Sequence, residues 1–485
     1  MKLLVLIAVL AATALAAEWD PETRLTDNSW PDYNFWSGQR RVAVDQAGRV
    51  HTVWYVMNSG LGTYRFQVYY KRFVPGSGWT ADTMISADLY AESTFCKYPG
   101  VAVDSSGRVF AVWGAGSTDE GDDRVYVKTC LPEGSGNGGW DEASTELSTS
   151  GPSQEKACPN LAATPDGHVH AVWLETTTIV YRECIDSVWQ GEVRLESGTG
   201  YKAYPVVAGG RDNTVHLGWY GRLGGSGFYD VWYKSRTDTT WNPTEEVSQG
   251  QRHQMYPSIA VNPVTGNPHM LWQCYEPTGN TRRVVHAWRT GSGWQPRDTV
   301  SEPGSEHEQG TGQLVFTQDG RGHAVWAGRS DAWPNVNQIR YSERDANGDW
   351  SAAVNVTDTS NTRERPSICG GSDSLPNDLH MVWTDYRMGN SEVYYAHANP
   401  SPQPVKERRR RTACSSQLTA SLVRGSLMLP GRQEAMLLDA AGSRVIGLHP
   451  GENPVSRLAP GVYFVLSAAG GGRPAVEVRR VVVTR

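Results

Sequence analysis

One phrase returns seven times along this chain. VAVDQAGRVHTVW ends at Trp54, VAVDSSGRVFAVW at Trp113 and LAATPDGHVHAVW at Trp173. Looser copies end at Trp219, Trp272, Trp326 and Trp383, so the steps between tryptophans are 59, 60, 46, 53, 54 and 57 residues. Self-similarity at such a period marks stacked supersecondary units, none of which buries its apolar face alone. Each unit has the same parts. A short apolar run such as Val42-Ala43-Val44 meets an Asp/Gly turn, and a second run, Val50 to Trp54, alternates with period two. A third run follows: QVYYKR, RVYVKT, TIVYRE, DVWYKS, RVVHAW, QIRYSE and EVYYAH. A fourth begins at Trp79, Trp140, Trp189, Trp241, Trp294 or Trp350.

Four antiparallel strands per unit describe one blade of a β-propeller. The fold class expected is all-β: a seven-bladed β-propeller over 18–398, closed by its N-terminal strand and followed by a small C-terminal β-sandwich. Six or eight blades are the alternatives. The seventh unit lacks a fourth strand, and the segment from Glu18 to Asp27 resembles DWSAAVNVTD at 349–358. Supplying that strand from the other end of the chain closes the ring and removes an open sheet edge. Gly 51 and Pro 27 suit many short strands and turns, and no internal apolar run approaches the roughly 18 residues of a spanning helix.

Residues 1–17 read as a secretory signal peptide: Met1-Lys2, a short apolar core, and Ala14-Leu15-Ala16 before a cleavage point. The mature chain is expected outside the cytoplasm, secreted or attached to the outer membrane, with no transmembrane segment. Seven cysteines leave at least one unpaired in an exported chain. Bridges between neighbouring repeats and isolated buried thiols both remain open. Up to Pro400 the chain holds 32 Lys+Arg against 46 Asp+Glu, and from Ser401 onward 13 against 5. An acidic body of this kind argues against nucleic acid as a partner.

The repeat tryptophans are expected to fill the gaps between sheets. His51, His170, His216, His269, His323 and His380 each precede the second-strand Trp by three, and Phe110 takes that place in the second unit. A position open to Phe points to packing and hydrogen bonding, so no metal and no cofactor are expected. After Pro400 the pattern changes. Residues 399–415, with Pro402, Pro404 and the Arg408–Arg411 run, read as a linker. Residues 416–485 alternate short strands with Gly/Pro turns, as a small β-sandwich does.

The units, above all Trp383-Thr384-Asp385-Tyr386-Arg387-Met388-Gly389-Asn390-Ser391-Glu392-Val393-Tyr394-Tyr395, resemble the repeats of sialidase-superfamily propellers of exported bacterial proteins. Sialidases hold the substrate carboxylate with arginines and use a Tyr–Glu pair as nucleophile. The resemblance therefore implies Arg41, Arg365, Arg387, Tyr386 and Glu392 as catalytic candidates. The Ser-x-Asp-x-Gly-x-x-Trp box of that family is missing in its usual spacing, and Asp45-x-x-Gly48 and Asp104-x-x-Gly107 are turn residues here. In the tail, Leu438 to Val445, Leu458-Ala459-Pro460-Gly461-Val462-Tyr463-Phe464-Val465 and Arg479 to Arg485 resemble the C-terminal sorting domain of the type IX secretion pathway. That resemblance implies the secretion machinery as a partner.

Loops joining each fourth strand to the next first strand should open at the channel mouth, beside the second-to-third strand loops. They carry aromatic residues that suit sugar faces or peptide segments, with Trp30, Tyr33, Trp36, Tyr275, Trp333 and Tyr386 as binding candidates. Tyr98, Tyr204 and Tyr256, each before Pro, are expected chiefly as a repeat packing position. No linear motif identifies a nucleophile. The expectation is a non-catalytic propeller that binds an extracellular glycan or surface protein. A sialidase-type glycoside hydrolase and a structural or adhesion protein are the alternatives.

Overall fold

The computed structural model describes residues 17–400 apart from 35–37, 39, 59–64, 93–94, 118–123, 132–138, 152–154, 199, 224–226, 249–251, 277–280, 303–306 and 373–374. Beyond them it describes 421–423, 426–429, 435–438, 444–456, 458–468 and 476–483. The chain divides into two compact units, with the boundary between Val405 and Lys406. Its regular elements are strands but for one short 3-10 helix, Ala87–Glu92, and among the described residues no helix is long and apolar enough to cross a membrane.

The first unit holds seven antiparallel sheets among the described residues. The second sheet shows the plan: Phe95–Val103, Val109–Gly116, Arg124–Cys130 and Thr145–Glu146 lie side by side in chain order. The turn between its first two strands is built by one carboxylate. Asp104 Oδ1 accepts the backbone N–H groups of Ser106 and Arg108, both at 2.9 Å, and Gly107 supplies a φ of 83°. Asp45 does the same for Ala47 and Arg49, with Gly48 at 74°. The D-x-x-G signature is thus a structural turn.

First strands lie against one another in succession. Phe95–Val103 touches Lys156–Ala163, and the contacts pass through Lys202–Gly209, Gln254–Val261, Gln309–Phe316 and Arg363–Gly370. Arg363–Gly370 then touches Val42–Val44, which touches Phe95–Val103, so the succession returns to its start. Between sheets, a fourth-strand Trp meets a third-strand ring of the preceding sheet edge-on: Tyr70–Trp140 at 4.9 Å, Tyr181–Trp241 at 5.0 Å, Tyr233–Trp294 at 5.1 Å and Tyr395–Trp79 at 5.0 Å. The seven second-strand tryptophans are wholly buried, in keeping with the packing role expected of them.

The N-terminal segment behaves as a fourth strand. Thr23 pairs with Tyr395 and Arg24 with Tyr394, and Trp19 bridges to Ala398. Trp19 meets Tyr341 of the sixth sheet at 5.5 Å, as the other fourth-strand tryptophans meet their neighbours. Thr26 Oγ1 accepts the N–H of Val393 at 3.0 Å. Ser86, Ser148, Ser248, Ser301 and Thr357 do this for Val68, Val125, Val231, Val284 and Ile339 in five other sheets.

The six described cysteines are buried, and no disulfide joins described residues; Cys414 lies outside them. The second unit has its own small sheets. Ser421–Val423 runs parallel to Val476–Val483, which pairs antiparallel with Gly461–Ala468, and Ala435–Leu438 and Arg444–Leu448 complete the larger sheet. Leu437, Leu448, Val455 and Val465 lie in its core. Residues 1–16 and 401–420, which carry most of the signal and linker expectations, lie outside the described residues.

Candidate functional site

The site grows from a bulge repeated at the entrance of the first strands. Pairing with the second strand skips between Lys97 and Gly100, Ala157 and Asn160, Ala203 and Val206, Met255 and Ser258, Gln309 and Gly312, and Glu364 and Ser367. In five of these six, the first bulged residue precedes Pro and takes a left-handed φ: Tyr98 at 60°, Cys158 at 54°, Tyr204 at 51°, Tyr256 at 56° and Arg365 at 59°. A non-glycine residue held there costs about 1–3 kcal/mol and persists only where its surroundings fix it. Bulges re-aim side chains at rims and binding sites. The pre-proline tyrosines are thus a repeat position, half-buried at the entrance of the first strands. In the first sheet the pairing breaks between Tyr33, opposite Tyr55, and Val42, opposite Thr52.

Two arginines reach one cavity from these segments. Arg365 donates to the Asn34 carbonyl at 3.0 Å, lies 5.3 Å over the Tyr33 ring, and has Glu364 at 3.7 Å. Tyr33 stacks on Tyr55 at 5.6 Å. Burial pushes the Tyr386 hydroxyl up to about 12, with the Arg365 charge opposing the shift and Glu364 adding to it. Arg41 is wholly buried, yet none of its three guanidinium nitrogens has a hydrogen-bond partner among the described residues. Burial first, then the charge of Arg365, pulls it down to about 9. Arg41, Arg365, Arg282, Glu308 and Glu364 line a cavity of about 150 Å³. Arg282 is ion-paired to Glu308, and Arg365 to Glu364. Three cations and two carboxylates leave one positive charge over, and it belongs to Arg41.

An aromatic shelf adjoins this cavity through Arg282, whose charge acts on Tyr256. Tyr256 meets Tyr204 at 5.1 Å and Tyr220 at 5.4 Å. Tyr220 meets Tyr229 at 5.5 Å, and Tyr229 meets His253 at 4.9 Å. Tyr275 packs against His253 at 5.9 Å, and Arg222 lies 4.3 Å over Tyr229. Tyr201 stands at the edge, 48% exposed. Spacing alone missed Arg222, Tyr220, Tyr229 and His253. The available signal was Trp-Tyr at 219–220, matched only by Trp-Tyr at 54–55 among the seven repeats.

The structure therefore brings Arg41, Arg365, Tyr386 and Tyr33 together and places Tyr275 on the shelf. It places Arg387 and Glu392 elsewhere. Arg387 closes a turn on Asp385 at 2.5 Å and pairs with Glu22. Glu392 is wholly buried and accepts from Arg24 at 2.8 Å and Thr26 at 2.6 Å. Both residues fasten the N-terminal strand. Trp30 packs half-buried against the core shared by the first and seventh sheets. Trp333 donates to Asp358 at 2.6 Å at a hairpin tip. Trp36 lies outside the described residues.

No family model matches the sequence. No curated protein matches it either. Among solved structures, the polysaccharide lyase Uly1 superposes with a TM-score of 0.50 at 12% identity, over 79% of this chain and 99% of its own. The intramolecular trans-sialidase from Ruminococcus gnavus gives 0.42 at 10% identity, over 76% and 95%. The alpha-L-arabinofuranosidase Arb93A from Fusarium graminearum gives 0.42 at 13% identity, over 63% and 94%. The likeness to the lyase is one of fold: an all-β chain of successive antiparallel sheets.

Proposed function

We propose that the first unit is a seven-bladed propeller, clasped by its N-terminal strand, whose mouth binds an extracellular glycan carrying a carboxylate. The ring reading is supported by the returning succession of first strands and by the repeat contacts that Trp19 and Thr26 reproduce. The ligand reading rests on one observation: the buried, unpartnered Arg41 guanidinium facing a polar cavity. A buried cation without a partner is costly, and a fixed guanidinium fork matches a carboxylate in two hydrogen bonds. A uronate or sialate group supplies that anion, and its ring faces suit the neighbouring tyrosines.

The function is binding, without turnover. A second reading, glycan cleavage of sialidase type, is favoured by the gathering of Tyr386, Glu364 and Arg365. Against it, Tyr386 is pushed away from its ionised form, which weakens it as a nucleophile. A screen of acidic and neutral oligosaccharides, paired with a fluorogenic sialoside assay, separates the two. Retention of acidic glycans without product release supports binding; turnover lost in Tyr386→Phe replaces it with catalysis.

Export by the N-terminal signal and delivery by residues 416–485 complete the proposal. It rests on the resemblance of the tail to type IX sorting domains and on the separate β-rich unit that the tail forms. In a host with that pathway, removal of 416–485 is expected to leave the chain in the periplasm. Unchanged surface or medium levels would contradict this.

A further inference from the structure

The repeat histidines have a common wiring, and the seventh sheet departs from it. Nδ1 meets a third-strand tyrosine hydroxyl in five sheets: His51–Tyr70 at 2.8 Å, His170–Tyr181 at 2.8 Å, His216–Tyr233 at 2.7 Å, His323–Tyr341 at 2.8 Å and His380–Tyr395 at 2.9 Å. In the first four of these, Nε2 meets an oxygen: Asp45 at 3.3 Å, Thr164 at 2.9 Å, Thr214 at 2.9 Å and Thr317 at 3.0 Å. In the seventh sheet, His380 Nε2 is buried without a hydrogen-bond partner among the described residues, and the residue as a whole is only 4% exposed. The strand position opposite also differs. Glu183, Ser235 and Glu343 face His170, His216 and His323, whereas His397 faces His380.

We propose that Asp378, His380 and His397 bind a divalent transition-metal ion of the zinc type. One ligand atom from each lies within 4.8 Å of the others. Every candidate ligand is also held from behind. Tyr395 holds His380 Nδ1 at 2.9 Å, Asp20 holds His397 Nδ1 at 2.7 Å, and Asn399 donates to Asp378 Oδ1 at 2.7 Å. This leaves His380 Nε2, His397 Nε2 and Asp378 Oδ2 turned inward, the last two 3.2 Å apart. Outer partners of this kind fix tautomers and orient ligands at metal sites. Two imidazoles and one carboxylate suit Zn²⁺, with a fourth position for water, and exclude a preference for Ca²⁺ or Mg²⁺.

The place in the fold gives the ion a structural task. Asp378 and His380 begin the strand whose far end, Asp385, leads to Tyr386 at the mouth, about 20 Å away by strand rise. The site is thus separate from the glycan cavity. It sits where Asp20 of the N-terminal segment meets the end of the seventh sheet, so a bound ion clasps the two together. The competing arrangement is His397 held between Asp20 and Asp378 alone, which needs no metal.

Calorimetric titration of Zn²⁺ into the untagged full chain, stripped with chelator, tests the proposal. One saturable site is expected, with a chelator-reversible rise in melting temperature. Co²⁺ at the same site should give the visible absorption of a tetrahedral nitrogen/oxygen set. His397→Ala and Asp378→Asn should each weaken Zn²⁺ at least tenfold while keeping the β-sheet circular dichroism. These two variants decide the matter even if His380→Ala fails to fold. Absence of saturable binding to the intact chain, or affinity unchanged in either variant, overturns the proposal.

Discussion

At the scale of single residues, the chain reuses a few hydrogen-bonded pairs. The His–Tyr pair is carried as a unit. Where Phe110 replaces His in the second sheet, Val127 stands at the tyrosine's place, and in the fifth sheet His286 stands there beside His269 at 2.9 Å. That a Phe-tolerant position serves packing and hydrogen bonding was legible from the repeats. The exception at His380 was not, because the partner that sets it apart, His397, lies on another strand. Burial pushes His170 and His216 down to about 4 and His323 to about 3. Their folded values lie below the unfolded value of about 6.5. Their stabilising contribution is therefore complete above pH 6.5, where both states are neutral, and is lost as pH falls toward the folded values. The unfolding free energy from urea titration should drop between about pH 6.5 and 4, by at most about 1.4 kcal/mol per pH unit for each histidine. The pair exchange His323→Phe with Tyr341→Val should flatten that slope; an unaltered slope would contradict the assignment.

At the scale of strands, the four-run unit and the stand-in role of residues 18–27 could be read from sequence, because tryptophan spacing and the final Leu/Ile/Val-Ser/Thr pair repeat. The bulges could not. X-Pro at a strand entrance looks like any turn until pairing shows two residues facing one. The break in pairing between Tyr33 and Val42 was hidden for the same reason, and with it the placing of Arg41 at the cavity. Glu392 looked catalytic by resemblance. Its acceptor role toward Thr26 has repeat counterparts, since Gln67 accepts from Ser86 at 2.6 Å and Gln338 from Thr357 at 2.8 Å. Thr26→Ala leaves the buried Val393 N–H without its acceptor and Glu392 with Arg24 alone, and should cost about 1–3 kcal/mol in denaturant titration. A loss below a few tenths would show that the N-terminal strand is not docked as described.

At the scale of the whole molecule, successive sheets are held together by side-chain contacts, and the last of them gains a strand from the N-terminal segment. Deleting residues 17–26 should expose the edge at Tyr394–Tyr395 and remove Trp19 from Tyr341. Aggregation and a lower, broader calorimetric transition are expected; a monomer melting like the full chain would exclude closure. The cavity owes its chemistry to the packing of these sheets, which brings together Arg41 and Arg365, distant in sequence. The most direct measurement is isothermal titration of a uronate- or sialate-containing oligosaccharide into the full chain and into Arg41→Met. The account predicts saturable binding that weakens about tenfold to hundredfold in the variant, as loss of charge-assisted hydrogen bonds implies. Equal affinity in both proteins, or equal affinity for the carboxyl-reduced sugar, would contradict it.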